Sequence, residues 1–484
     1  MKQINIFRIV TLIAVGMASV ADATFFTNGI KIGEVDQNSA IIWTRLARDT
    51  EFNMQGHMFV EYEIDTGKKN QDGTPDFDIG SRYPDGATLE DMAFSLPGAK
   101  GEVRLTYWPK GKMNEVVEKN WISVDPNRDF TTQIKLTNLT PGTEYKIAMT
   151  GRKQGGKTAS MVTGKFKTAP PIDDVKDVTF TVVTCHDFNR RDDLVNGHRI
   201  YPSMARIVKP DFMVHAGDIE YYDKPNPWAR NQELARYKWN RIFALPYQVD
   251  FYRQFATYFI KDDHDTLRND AWPGQTYGDL TWEQGLAIYR EQVPMGKKTY
   301  RTVRWGKDLQ IWMVEGRDYR SPNTMPDGPE KTIWGKEQKA WLFKSFSESD
   351  ATFRILISPT PIVGPDRTTK NDNHANAGFT YEGNEVREFL GSQKNAFVLC
   401  GDRHWQYASV DLKTGVREYA AGAGSDSHAG GFKQSLRTEA HKYLQIKGGF
   451  LSVSVKRKQD TPVISLTHYD IDGNLQHRES FAAE

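Results

Sequence analysis

Five apolar runs of strand length in this 484-residue sequence each stop at side chains that bind metals or move protons. Residues 179–184 run into Cys185, His186 and Asp187, and residues 211–216 run through Gly217 into Asp218, Glu220, Tyr221 and Asp223. Residues 258–261 end in Asp262, Asp263, His264 and Asp265; 309–314 end in Glu315, Arg317, Asp318 and Arg320; 396–400, closing on Cys400, end in Gly401, Asp402, Arg403 and His404. Each cluster has an ordinary explanation by itself: a turn at Gly-Asp, a solvated or helix-capping Asp-rich stretch, a satisfied core histidine. In succession along one chain they point to a single site, because ligands of α/β sheets bind just beyond the carboxyl ends of the strands.

The chemistry these residues suit is two-metal hydrolysis of an ester. Paired metals need a bridging carboxylate, hard oxygen ligands and a softer ligand that distinguishes the two ions. Asp218 is the natural bridge; Tyr221, three residues later, can present a phenolate, Cys185 a thiolate and His404 an imidazole. Asp402 lies two residues before His404, so on an extended segment both side chains share a face. Asp263 and Asp402 serve the second metal in this reading. His264, next to Asp263, is the candidate proton donor to a leaving alkoxide, or else orients Asp263. Arg317 and Arg320 can fork onto phosphate oxygens or form salt bridges, and His186 and Asp187 are left as candidate substrate contacts.

Two kinds of element must position these groups. Residues 24–170 read as all-β: 40–46 is a strand with a central Trp43, and 60–64 alternates apolar and acidic side chains. In 136–145, Tyr145 stands three residues after Gly142, the pattern of the tyrosine corner in fibronectin type III and immunoglobulin-like sandwiches. Residues 68–127, rich in Gly, Pro and charge, read as an elaboration of that sandwich. Pro170 and Pro171 mark a stiff linker. From residue 176 to the end the pattern is α/β, with amphipathic helices expected at 232–243 and 281–293 and hairpin strands near the C-terminus.

Composition limits the partners. With 63 basic and 62 acidic residues, the net charge of +1 indicates no nucleic-acid partner and no anionic membrane surface. Lys2 and Arg8 precede an apolar run at 9–20, followed by Ala21, Asp22 and Ala23, the layout of a signal peptide of the general secretory type cleaved after Ala23. No later stretch is apolar for the roughly 20 residues that cross a bilayer. The expectation is an exported protein, periplasmic or secreted, without a transmembrane anchor. Export makes a disulfide between the two cysteines, Cys185 and Cys400, the alternative to a metal thiolate. Nothing in the sequence speaks to oligomeric state.

Taken together, Thr184-Cys185, His215 to Tyr221, Asp262 to Asp265, Gly335 to Gln338 with Trp341 and Leu342, and Gly401 to His404 resemble the PhoD-like alkaline phosphatases and phosphodiesterases. These belong to the calcineurin-like and purple-acid-phosphatase group of metallophosphoesterases. Residues 40–46 also resemble that family's fibronectin-like domain. The resemblance implies an α/β (α+β sandwich) metallophosphoesterase domain behind an N-terminal β-sandwich. It also implies Fe(III) held by Cys185, Asp218, Tyr221 and His404, beside Ca(II) sharing Asp218 and using Asp263 and Asp402. Zinc, manganese and magnesium are the alternatives on ligand chemistry. Glu315 stands where the family more often has an aspartate ahead of its arginine, and Ser358 or Thr360 falls where related enzymes offer a further ligand. The expected substrate is a small-molecule or lipid phosphate ester. The rival readings are a hydrolase of a phospholipid head group or a sulfate ester, and a glycan-binding or adhesion protein with purely structural metals.

Overall fold

The structure is a computed structural model that describes residues 24–69, 74–157 and 159–484; the expected signal peptide at 1–23 lies outside the described residues. Two sheets packed face to face build the C-terminal part. In spatial order the first holds Ala256–Ile260, Phe212–Ala216, Val178–Val183, Phe450–Lys458, Thr461–Tyr469 and Leu475–Ala482. The second holds Arg301–Trp305, Leu309–Met313, Phe353–Ser358, Ala396–Cys400, Arg417–Ala421, Gln406–Val410 and His441–Gln445. The runs picked out by sequence are the parallel strands: the first three of the first sheet, and the central strands of the second.

Burial on both faces explains why these strands read as unbroken apolar runs. Alternate residues divide between two environments. Phe212, Val214, Ile311 and Met313 meet in the core between the sheets, whereas Met213 and Phe259 face one helical layer and Trp312 and Val398 the other. Helices Gln232–Ile242, Pro246–Tyr252 and Trp282–Gln292 form the first layer, Gly335–Ser347 and Thr380–Gly391 the second. The expected helices begin where capping chemistry allows. Asn231 accepts the Leu234 N–H at 2.9 Å, and Thr281 and Gln284 form a reciprocal capping box. The result is a helix–sheet–sheet–helix stack.

Among the described residues before 170 there are strands and short 3₁₀ turns and no α-helix. Ile30–Gly33, Ala40–Arg45 and Thr131–Leu136 form one sheet; Ala159–Lys167, Glu144–Arg152 and Glu102–Pro109, with two short strands, form another. Ile32, Ile42 and Ile134 of the first share a core with Leu105, Ile147 and Met149 of the second. The Tyr145 hydroxyl accepts the Thr140 N–H at 2.9 Å, which pins the corner expected there. One expectation needs correcting: the stretch 68–127 is not all elaboration. Glu102–Pro109 pairs along its length with Glu144–Arg152 and buries Val103, Leu105 and Tyr107. The flanking Val60–Lys69 and Pro75–Arg82 do form a separate two-stranded ribbon. The sandwich is fastened to the helix Trp282–Gln292, where the Trp43 indole donates to the Glu291 carbonyl at 2.8 Å.

Candidate metal centre and active site

Three of the strand ends turn through backbone that L-residues seldom adopt. Cys185, Asp218 and Asp402 have φ of 57°, 56° and 59°, each a strain of order 1 kcal/mol that persists only where the surroundings impose it. What imposes it is close packing of the turns on one another. A Cβ on Gly401 would lie 2.0 Å from the Ala216 carbonyl oxygen and 2.9 Å from Thr184 Oγ1, and one on Gly217 would lie 2.7 Å from Asp262 Cβ. Thr184 Oγ1 donates to the Gly217 carbonyl at 3.0 Å and accepts the Asp402 N–H at 3.2 Å, tying three turns together. The Asp265 carboxylate accepts four backbone N–H groups, those of Asp218, Ile219, Glu220 and Asp262, at 2.7–3.0 Å.

Held this way, the ligand-type atoms converge on Asp218. Its Oδ2 accepts the Tyr221 hydroxyl at 3.1 Å and the Cys185 thiol at 3.5 Å, and Tyr221 Oη lies 3.4 Å from His404 Nε2. Three groups bring their ligand atoms within 4.8 Å of one another: Cys185, Asp218 and His404; Asp218, Asp263 and His264; Asp218, Asp262 and Asp402. Asp218 is common to all three. Its Oδ1 is buried without a hydrogen-bond partner, a state that costs free energy unless a cation is the partner. Burial, then the Asp218 carboxylate, pushes the Cys185 thiol and Tyr221 phenol well above their ordinary values, and burial does the same to Asp218 itself. A polyvalent cation reverses that balance and favours the anions. Burial, then the neighbouring His428, keeps His404 neutral and so able to ligate. These residues fit metal ions.

Around this centre lies a shell of charged partners. His264 Nδ1 is 2.5 Å from Asp223 Oδ1, whose other oxygen accepts the Asn269 N–H at 2.8 Å. Burial works against the imidazolium, yet Asp223, Asp263 and Asp218 raise its pKa well above the ordinary histidine value. Arg317 is fully buried: Nε meets Asp262 Oδ1 at 2.5 Å, Nη1 the Ala271 carbonyl at 3.2 Å, and Nη2 lies 3.7 Å from Asp263 Oδ2. Burial would raise Asp263, but Arg317 and His264 hold it well below the usual carboxylate range.

Several expected contacts sit elsewhere than their assigned roles would place them. Arg317 and Arg320 are neither rim salt bridges nor open to solvent; Arg320 bonds the Asn323 side chain and the Asp372 carbonyl, both at 2.7 Å. His186 turns inward, its Nδ1 2.9 Å from His215 Nε2 and its ring 4.7 Å from that of His198. Asp187 caps the turn Phe188–Arg190 through the Asn189 N–H. Ser358 Oγ accepts the Thr360 N–H at 3.3 Å. The disulfide alternative is not realised: both cysteines are free, and Cys400 Sγ lies 3.2 Å from the Tyr407 hydroxyl.

Two groups were missed by sequence. The His428 ring centre lies 4.1 Å from that of His404 and 5.2 Å from that of Tyr221, its Nδ1 bonds the Cys185 carbonyl, and burial brings its pKa down to about 4. A signal existed, since the strand Arg417–Ala421 also runs into polar residues, ending at His428. Lys370, on an irregular segment, lies 2.5 Å from Asp270 Oδ1 and 3.6 Å from Asp372 Oδ2.

A helix–sheet–sheet–helix stack with carboxylates, histidines and a phenol gathered at adjoining strand ends defines a metallophosphoesterase. The particular family follows from comparison: residues 180–442 match the PhoD-like phosphatase family and residues 14–170 the N-terminal domain of PhoD-like phosphatases, and the chain belongs to this family. It is a metal-dependent phosphoester hydrolase. It is similar to alkaline phosphatase D of Bacillus subtilis (strain 168), 23% identical over 479 residues covering 87% of this chain and 72% of that protein. Among solved structures, PhoD superposes with a TM-score of 0.70 at 18% identity, covering 97% of this chain and 91% of that one. Purple acid phosphatase PPD1 from yellow lupin seeds gives 0.61 at 11% identity, over 95% of this chain and 74% of that one.

Proposed function

We propose that the chain is an exported phosphomonoesterase and phosphodiesterase, in which Cys185, Asp218, Tyr221 and His404 hold Fe(III) and Asp218, Asp263 and Asp402 hold Ca(II). The observation that carries this is Asp218, shared by three ligand groups and with one oxygen still unpartnered. Bound there, the metals supply positive charge for the phosphoryl oxygens and lower the pKa of water. The protein does the rest. Asp223 on Nδ1 fixes the His264 ring and keeps it protonated, so that Nε2 can hand a proton to the departing alkoxide. Arg317 neutralises and orients Asp262 and Asp263. Lys370, only partly buried and paired with Asp270 and Asp372, takes over the gripping of substrate phosphate from the buried Arg317 and Arg320.

The small-x-small triplet ending at Ala23 supports export, and no helix among the described residues is long and apolar enough to cross a membrane. In this reading residues 24–170 are a fibronectin III-like domain and 176–484 the catalytic domain. The reading is tested with metal-loaded protein on nitrophenyl phosphate, bis-nitrophenyl phosphate and nitrophenyl sulfate. Turnover of both phosphates and not the sulfate is expected. Turnover of the sulfate at a comparable rate points instead to a sulfatase, and inertness toward all three to a non-catalytic role.

A further inference from the structure

One cavity shares a side chain with the catalytic histidine's hydrogen-bond partner. It has a volume of about 360 Å³ and is lined by Trp228, Trp272 and Tyr277 together with Asp78, Arg268 and the same Asp223 that holds His264. Two larger cavities, of about 480 and 520 Å³, lie against the sandwich and share no residue with the site. Three aromatic rings around a hollow of this size exceed what a phosphate ester with a small aliphatic alcohol needs, and pockets of about 300 Å³ and more hold whole ring systems.

The walls are fixed from two directions. The Trp228 N–H donates to Ser81 Oγ at 2.9 Å, and Arg230, whose guanidinium lies 4.8 Å from the Tyr277 ring centre, is paired with Asp78. Both anchors belong to the strand Pro75–Arg82, so the ribbon inserted in the N-terminal part braces this wall. On the other side Asp223 accepts the Asn269 N–H and Gln275 accepts the Trp272 N–H at 3.2 Å, which hold the loop carrying Arg268 and Trp272. Arg268 is exposed and has no ion pair among the described residues. An open cleft lined by aromatic side chains and a guanidinium without an ion pair suits a flat ring bearing hydrogen-bond acceptors.

We infer that this cavity is a subsite for the alcohol portion of the ester, and that it selects alcohols carrying an aromatic ring of nucleobase or aryl size. The inference rests on the phosphoesterase reading, in which His264 protonates the alcohol as it leaves; the cavity borders that donor through Asp223, the partner of its Nδ1. Stacking puts the selectivity in binding, so it shows in KM more than in kcat.

The test compares wild type, Trp272→Ala and Trp272→Leu, all metal-loaded, on adenosine 5′-monophosphate, nitrophenyl phosphate and methyl phosphate. Loss of one stacking ring is expected to raise KM for the two ring esters roughly ten-fold, with KM for methyl phosphate unchanged. Trp272→Phe is expected to restore most of the difference, and an unchanged melting temperature in the leucine variant shows that the fold is intact. Equal KM changes on all three substrates, or none on any, would overturn the subsite while leaving the phosphoesterase reading in place. Failure of the wild type on all three would overturn that reading and the subsite with it.

Discussion

Gly401→Ala places a single methyl group where the strand-end turns of the site pack on one another. Its Cβ would fall 2.0 Å from the Ala216 carbonyl oxygen, 2.7 Å from that of Pro359 and 2.9 Å from Thr184 Oγ1. An ordinary C···O contact is roughly 3.3 Å, so the backbones must separate by roughly 1.3 Å. The far ends of flexible side chains cannot absorb this, since two of the three atoms are main-chain oxygens. The turn that moves on one side leads to Asp218 and on the other to Asp402, so the displacement opens the ligand set itself. A misplacement of about 1 Å costs on the order of a hundredfold in rate, and overpacking adds about 1–3 kcal/mol of destabilisation. The assay is kcat on nitrophenyl phosphate together with metal content and melting temperature. Gly296→Ala is the control, because a Cβ there meets nothing within 4 Å. If Gly401→Ala keeps wild-type kcat and metal content, the argument that the packed strand ends set the metal geometry is refuted.

Asp223→Asn removes the largest attraction holding the His264 proton, so the alkaline limb of kcat moves to lower pH. The stability effect has a definite sign. Because the folded pKa is raised, the pair stabilises fully below the unfolded histidine value and loses that contribution as pH rises through the raised one. The variant's loss of stability is therefore largest at acidic pH and fades under alkaline conditions, as urea melts across pH will show. Lys370→Ala is expected to raise KM about ten-fold for the dianionic monoester and less for the monoanionic diester, with kcat little changed. Equal KM values for variant and wild type would remove Lys370 from the substrate's path.

Much of this was legible because parallel strands buried on both faces must be apolar throughout, which makes a polar residue at their ends conspicuous. That logic singles out Cys185, Asp218, Asp263, Asp402 and His404, whose ligand-type atoms the fold gathers in groups that share Asp218. It failed where a residue's direction mattered more than its position. Nothing in the order of residues says that Arg317 turns back onto Asp262 rather than outward, or that His186 faces His215 while its neighbour Cys185 faces Asp218; the positive φ at Cys185 decides that. Lys370 was invisible because its segment has no periodicity. The strand Glu102–Pro109 was missed although Val103, Leu105 and Tyr107 do alternate with polar residues, since the surrounding Gly and Pro obscured it.

The most direct test of the central claim is elemental analysis of wild type and Asp218→Asn, an isosteric change that removes one shared anion. The account predicts iron and calcium in stoichiometric amounts in the wild type, and loss of both metals together with activity in the variant. An Asp218→Asn protein that retains wild-type metal content and turnover would contradict it.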